Sequence, residues 1–396
     1  MRILTISTLY PNAANPRHGI FVETRLRQLK KHYPETEITV IAPVPWFPSS
    51  HPIFGRYGEH ASVPVKETRY GIPVYHPRYL VIPKIGMFWT PTTLARCLQK
   101  QIHALINAGL EFDLIDGHYF YPDGVAIAAV AKALRKPFTV TARGTDINLI
   151  PDYPSARRQI QQVLSASNHN VAVCEALRTA MIGLGATPDR VSTLRNGVDL
   201  ELFSFCDESQ QAGLRRALGL PLNTPIILSV GLLIERKGHH LVIDALRQIP
   251  GAVLLIAGCG PLRKTLSVLA AKYGVADRVR FLGRLSQEEL SAYYGAANVL
   301  TLASDREGWA NVLLESMACG TPVVATNIWG TPEVVQQPRA GLLVERNVNA
   351  IAAGLLQILS NPLPRAATRR YAEQFDWFAT SEGQYHLFRR LIRSAT

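Results

Sequence analysis

Short, β-branched apolar runs alternate with amphipathic helical stretches almost from end to end of this 396-residue chain, and the series runs twice. That alternation is the pattern of parallel sheets joined by crossover helices, so the fold class is α/β. In the first half it predicts strands near 2–7, 37–42, 114–116, 138–141, 170–173 and 191–194, with helices near 20–31, 92–107, 124–134 and 175–184. Asn196-Gly197-Val198-Asp199 is a turn signal, and a polar, Gln-rich stretch at 206–211 follows it. A second series of strands then starts, near 226–230, 253–257, 279–282, 299–302 and 323–325. The expectation is two Rossmann-like doubly wound domains, 1–203 and 204–379, with a helical segment 380–396 returning to the first. Ligands of such sheets bind beyond the carboxyl ends of the strands, so functional residues are sought at strand ends around a central cleft.

Charge and cysteine content remove several function classes. Residues 1–203 hold 22 Lys/Arg against 15 Asp/Glu, a net of +7, while 204–379 carry +3 and 380–396 carry +2 of the total of +12. The basic residues are dispersed, with no run beyond pairs such as Lys30-Lys31, which speaks against nucleic acid and for phosphate-bearing small molecules or lipid headgroups. Five scattered cysteines without a Cys-x-x-Cys argue against a disulfide framework and against a thiolate zinc site. The first ten residues read as a strand rather than a signal peptide, and no apolar run approaches the roughly 18–20 residues of a membrane span. A cytoplasmic protein is expected, with any membrane contact peripheral. Two apolar, aromatic stretches in the basic first half, 45–48 and 79–89, are where an anionic membrane surface would be met, unless they pack onto their own domain.

The segment from Asp305 to Thr326 carries the most chemistry. A Gly-containing loop opens a helix, so backbone N–H groups around Gly308, Asn311, Val312 and Leu313 and the helix dipole favour a phosphate. Glu307, on the loop, suits a sugar hydroxyl. Glu315 lies within the helix among Val312, Leu313, Leu314, Met317 and Ala318, a poor setting for a merely solvated carboxylate, and a carboxylate there can accept from the vicinal hydroxyls of a ribose. There is no Asp-x-Asp and no His-Glu-x-x-His, so no metal site and no metal cofactor are expected.

Glu307-x7-Glu315 followed by Ser-Met-Ala-Cys-Gly-Thr-Pro-Val-Val-Ala resembles the signature of group 1 retaining glycosyltransferases of GT-B fold. Segments 229–238, 256–262 and 196–199 are similar to the family's glycine loop, nucleotide loop and interdomain turn, in the same order. Within the family, Leu9-Tyr-Pro-Asn12, His18-Gly-Ile-Phe21 and Glu307-Gly-Trp-Ala-Asn311 look most like enzymes of bacterial surface-polysaccharide assembly, including the teichuronic-acid type.

The resemblance implies a nucleotide diphosphate sugar as co-substrate, no metal, and a polysaccharide or polyprenyl-linked acceptor. It implies close backbone approach to the nucleotide at Gly231, Gly258 and Gly260, contacts to the base near Gly283 and Arg284, and a charge stabiliser for the diphosphate at Lys237. Leu232 stands where many relatives have an arginine, so Arg236 or Arg263 is expected to substitute. In the first domain it implies approach to the donor phosphate at Gly19, unless that glycine merely starts a helix. His118 would bind a donor-sugar hydroxyl or take the acceptor's proton. Arg143 and Asp146 position an acceptor or a phosphate, or else form a loop-stabilising ion pair. Catalytic roles thus fall to His118, Lys237 and Glu307. A nucleotide-sugar epimerase of the same architecture, or a non-catalytic nucleotide-binding scaffold, is the competing reading.

Overall fold

The computed structural model describes residues 1–51, 53, 55–81 and 88–395. The chain divides into two compact units, one of Met1–Asn196 with the segment from Phe378 on, the other Gly197–Trp377. The expected boundaries, 203/204 and 379/380, move to 196/197 and 377/378. The shift has a local cause: the Val198 amide donates to the Phe375 carbonyl (2.8 Å) and Arg369 Nη1 donates to the Phe203 carbonyl (2.8 Å), which ties 198–203 to the second unit.

The first unit holds β1 (Arg2–Ile6), β2 (Glu37–Ile41), β3 (Val44–Pro45), β4 (Lys66–Arg69), β5 (Ile72–Tyr75), β6 (Arg78–Tyr79), β7 (Leu114–His118), β8 (Phe138–Ala142), β9 (His169–Ala172) and β10 (Val191–Thr193). Eight of them form one sheet in the order β10-β9-β8-β7-β1-β2-β5-β4. Its neighbours run parallel except β4, which is antiparallel to β5. β7 and β8 are buried along their whole length, as strands covered on both faces must be. Helix Ile20–His32 turns Val22, Leu26 and Leu29 into the core, where they join Leu387 and Phe388 of the C-terminal helix Phe378–Ala395. Each such fully buried apolar side chain contributes about 1.5–3 kcal/mol. The returning helix is therefore part of the first unit's core.

The second unit adds β11 (Ile226–Val230), β12 (Val253–Ala257), β13 (Val279–Gly283), β14 (Val299–Leu302), β15 (Val323–Thr326) and β16 (Gly341–Val344), all parallel, in the order β13-β12-β11-β14-β15-β16. Order reverses between β11 and β14, the position at which open parallel sheets bind ligands.

The strands that periodicity did not reveal are β3 and β6, which pair outside the main sheets, the edge strands β4 and β16, and β5, which lies inside the first sheet between β2 and β4. Lys-Glu-Thr-Arg of β4 reads as a solvated charge run, yet it forms a hairpin with β5 through Tyr70 and Gly71, both at positive φ (49° and 72°). β16 is a four-residue edge strand beside β15. Of the aromatic stretch 79–89, positions 82–87 lie outside the described residues; Trp46, Leu80, Phe88 and Trp89 are exposed. No described helix is long and apolar enough to cross a membrane.

Candidate functional site

In the second unit the loops that leave β11, β12 and β13 are stitched together by their backbones. Gly231 N–H donates to the Ala257 carbonyl (3.0 Å), Gly258 N–H to the Gly283 carbonyl (2.7 Å), and Leu233 N–H to the Cys259 carbonyl (2.9 Å). Gly258 has φ +148°, and a Cβ there would stand 1.8 Å from the Gly231 carbonyl oxygen, so only glycine allows the approach. Gly231, Gly258, Gly260 and Gly283 thus share one surface of backbone at the strand ends.

The loop after β14 brings charge to that surface. Glu307 Oε1 lies 2.5 Å from Lys237 Nζ and accepts from Ser304 Oγ at 2.6 Å. Arg236 Nη1 donates to the Arg306 carbonyl at 2.7 Å and lies 3.9 Å from Glu307 Oε2. Burial of Glu307, only 8% exposed, works to raise its pKa; Lys237, Ser304 and Arg236 outweigh it and hold the carboxyl below its ordinary value. Arg263 takes another course, its guanidinium stacking 3.7 Å over the Phe281 ring. Arg284 points to Cys259 Sγ (3.2 Å from Nη2). Of the two arginines expected to substitute at Leu232, Arg236 is the one that joins Lys237.

Helix Asn311–Ala318 has no side-chain N-cap. Two of its expected phosphate donors are engaged inside the loop, Asn311 N–H with the Trp309 carbonyl (3.1 Å) and Leu313 N–H with the Ala310 carbonyl (3.0 Å), which narrows that reading to Gly308 and Val312. Glu315 is half-buried, flanked by the fully buried Leu313, Leu314, Met317 and Ala318. Tyr294 Oη donates to its Oε2 at 2.8 Å. Burial raises the Glu315 carboxyl to about 7, with the Tyr294 bond opposing it.

The first unit holds a second cluster, at the carboxyl end of β7. His118 is fully buried, with Nδ1 2.7 Å from Arg143 Nη2 and Nε2 3.1 Å from Asp116 Oδ2. Arginine can only donate, so Nδ1 is the acceptor and the ring proton sits on Nε2, toward Asp116. Burial lowers the imidazole pKa to about 4, Asp116 opposing and Arg143 reinforcing the shift, so the ring is neutral near pH 7. Arg143 Nη1 and the buried Arg25 both reach Asn196 Oδ1 (3.3 and 3.4 Å), and Arg25 Nε donates to Gln384 Oε1 at 2.7 Å. Asp146 forms no ion pair with the Arg143 side chain. Its carboxylate accepts the backbone N–H groups of Phe120, Arg143 and Gly144 and is fully buried, so it shapes the loop rather than facing a ligand. Gly19 caps Ile20–His32 at φ +68°, with the Leu9 carbonyl oxygen 2.2 Å from where a Cβ would be.

Sequence reasoning missed Tyr294, Ser304, Asp116, Arg25 and Gln384. Asp116 alone carried a usable signal: two residues before His118 on one strand, it faces the same side of the sheet.

The profile described as "Glycosyl transferases group 1" matches residues 210–375, and that described as "Glycosyltransferase Family 4" matches 22–202. A D-inositol 3-phosphate glycosyltransferase of Corynebacterium urealyticum is 31% identical over 76% of this chain and 77% of its own. The chain belongs to the group 1 glycosyltransferases. A Bacillus subtilis protein named for teichuronic acid biosynthesis is 27% identical to this glycosyltransferase over the full length of both. Among solved structures, sucrose-phosphate synthase from Thermosynechococcus elongatus superposes with a TM-score of 0.81 at 22% identity, covering all of both chains. Anabaena HepE in complex with UDP-glucose gives 0.74 at 20% identity, over 98% of this chain and all of that one. At these identities they establish the fold, which is GT-B.

Proposed function

We propose that this glycosyltransferase moves a sugar from a nucleoside diphosphate sugar to a polysaccharide or lipid-linked acceptor, with retention of anomeric configuration and without a metal ion. The observation that carries the reading is the Lys237–Glu307–Ser304 cluster, with Arg236 beside it, at the strand ends of the second unit. In the reaction the diphosphate departs with growing negative charge. Lys237 and Arg236 stabilise that charge more in the transition state than in the ground state, which is what lowers a barrier. Glu307, kept ionised by the same cations, accepts a hydroxyl of the transferred sugar. Glu315 accepts the ribose hydroxyls, the glycine surface lets the nucleotide approach the backbone, and Gly283 and Arg284 lie toward the base. In this reading the side chains of Lys237 and Arg236 supply the charge that a metal ion would otherwise bring.

The donor reading draws support from HepE, whose structures contain UDP and UDP-glucose. The first unit takes the acceptor, with Arg143 and the amino end of helix Ile20–His32 at Gly19 available to phosphate. His118, neutral, with Nδ1 accepting from Arg143 and Nε2 3.1 Å from Asp116, acts there as an oriented dipole rather than as a general base. Retention follows if the acceptor attacks from the face the diphosphate leaves. A peripheral position at the inner face of a membrane is the second reading, favoured by exposed Trp46 (53%), Phe88 (61%) and Trp89 (63%) on a unit, 1–196 with 378–396, that holds 25 Lys/Arg against 14 Asp/Glu, a net of +11.

The test is a thermal-shift screen of nucleoside diphosphate sugars followed by incubation of the stabilising donor with and without acceptor lipids or glycans. Transfer with the donor's anomeric configuration kept is expected. Interconversion of the donor sugar without acceptor, or an inverted product, would overturn the reading.

A further inference from the structure

Glu315 stands in a setting that opposes its charge. Its helix packs against helix Gln287–Ala296, which contributes Tyr294, and against helix Arg365–Ala372, which contributes Arg365 and Arg369. Both guanidiniums are directed elsewhere: Arg365 donates to the carbonyls of Cys206, Gly295, Ala297 and Cys319, and Arg369 to those of Phe203 and Ala318 and to Glu373. The neighbouring Cys319 thiol is pushed up to about 12 by burial and stays neutral. The strands beneath, β14 and β15, bring Val299–Leu302 and Val323–Thr326, with no titratable side chain. Among the described residues, Tyr294 is the one side chain that donates to the carboxylate.

Tyr294 is itself held firmly. Its ring is fully buried, lies edge-on to Phe203 (centroids 5.9 Å, planes at 65°), and its backbone carbonyl accepts from Thr321 Oγ1 at 2.7 Å. Its rotamer is therefore set by packing before any ligand arrives.

We propose that Tyr294 is the positioning residue for the nucleotide: its buried hydroxyl holds Oε2 of Glu315 in the ionised form and leaves the other carboxylate oxygen for the ribose hydroxyls. The inference rests on the ribose role of Glu315. A carboxylate that must be charged to bind, in a site that favours the neutral acid, couples nucleotide affinity to pH, and Tyr294 sets where that coupling falls. Removing the hydroxyl moves the ionisation of Glu315 upward without emptying the core.

The probe is whichever of UDP, GDP and ADP binds the wild-type protein most tightly by calorimetry, measured from pH 6 to 9 with wild type, Tyr294→Phe, Glu315→Gln and Glu315→Ala. Protonation of the nucleotide's own phosphate is common to all four and cancels in ratios of Kd. Tyr294→Phe should weaken binding on the order of tenfold near pH 6.5, the scale for a hydrogen bond to a charged group, and approach wild-type affinity by pH 9. Glu315→Gln should bind weakly with no such recovery. Unchanged binding by Glu315→Ala, or no binding of any of the three nucleotides to wild type, would overturn the ribose reading and this inference with it. Weak binding by Glu315→Ala together with a wild-type affinity and pH midpoint in Tyr294→Phe would overturn the inference alone. So would a constant deficit of Tyr294→Phe at every pH, which marks a packing role. Should Tyr294→Phe melt below the assay temperature, the wild type to Glu315→Gln ratio decides: it must change through a midpoint near 7, and a flat ratio counts against the proposal.

Discussion

The two units reach their polar clusters by opposite routes. In the second, Lys237, Ser304 and Glu307 lie on loops just beyond strand ends, and their charges neutralise one another at the rim of an all-parallel sheet. In the first, His118, Asp116, Arg143, Arg25, Asn196 and Gln384 come from positions up to 359 residues apart and are joined by bonds that run through the interior. Loop charges such as Lys237 can let go of a partner when a ligand offers a better one. A buried imidazole that accepts from Arg143 at Nδ1 and lies 3.1 Å from Asp116 at Nε2 cannot do so without exposing unsatisfied groups. The second unit is therefore suited to charge that develops during a reaction, and the first to a fixed, neutral orientation.

The contrast breaks most visibly at Lys237. Lys237→Ala should lower kcat by on the order of 10²-fold or more, the scale for losing one preorganised charge stabiliser. Arg263→Ala, with its guanidinium on Phe281, should stay within a few-fold of wild type. Steady-state kinetics on the two variants checks this, and the reverse ranking would move the diphosphate clamp away from the loop after β11.

At His118 the effect is on stability. Its folded pKa of about 4 lies below the ordinary value of about 6.5, so between these pH values the unfolded chain binds a proton that the folded chain does not. Stability from this residue is complete above about pH 6.5 and is lost as pH falls toward 4, by roughly 3 kcal/mol at most. Urea midpoints at pH 4.5 and 7 for wild type and His118→Gln should show the smaller pH dependence in the variant. Equal dependence would mean that the ring takes up its proton alike in the folded and unfolded states.

The exposed aromatics of the first unit should matter only with lipid present. Wild type should pellet with anionic vesicles and less with neutral ones, and Trp46→Ala with Trp89→Ala should reduce pelleting several-fold. Salt should weaken it, since screening shortens to about 8 Å at 0.15 M. Equal pelleting with both vesicle types, or with neither, removes the membrane reading.

The smallest expected effect is none at all: on the proposed assignment of the charge to Lys237 and Arg236, EDTA should leave transfer unchanged. Loss of activity restored by one divalent ion would show that the second unit's cations are insufficient.

Much of the fold was determined by local pattern. Apolar runs of strand length at 226–230, 253–257 and 299–302, set between turn residues and amphipathic helical stretches, fit buried parallel strands, so the two doubly wound units followed from run length, alternation and turn residues. Glu307 and Glu315 were legible because a glycine loop and the helix it opens lie together in sequence. Tertiary structure alone decided which charges meet. Arg236 rather than Arg263 joins Lys237, Asp146 binds backbone rather than facing outward, and Tyr294 reaches Glu315 from another helix. Propensity and spacing act over a few residues, whereas a side-chain hydrogen bond depends on how separate elements pack, and packing is a property of the whole unit.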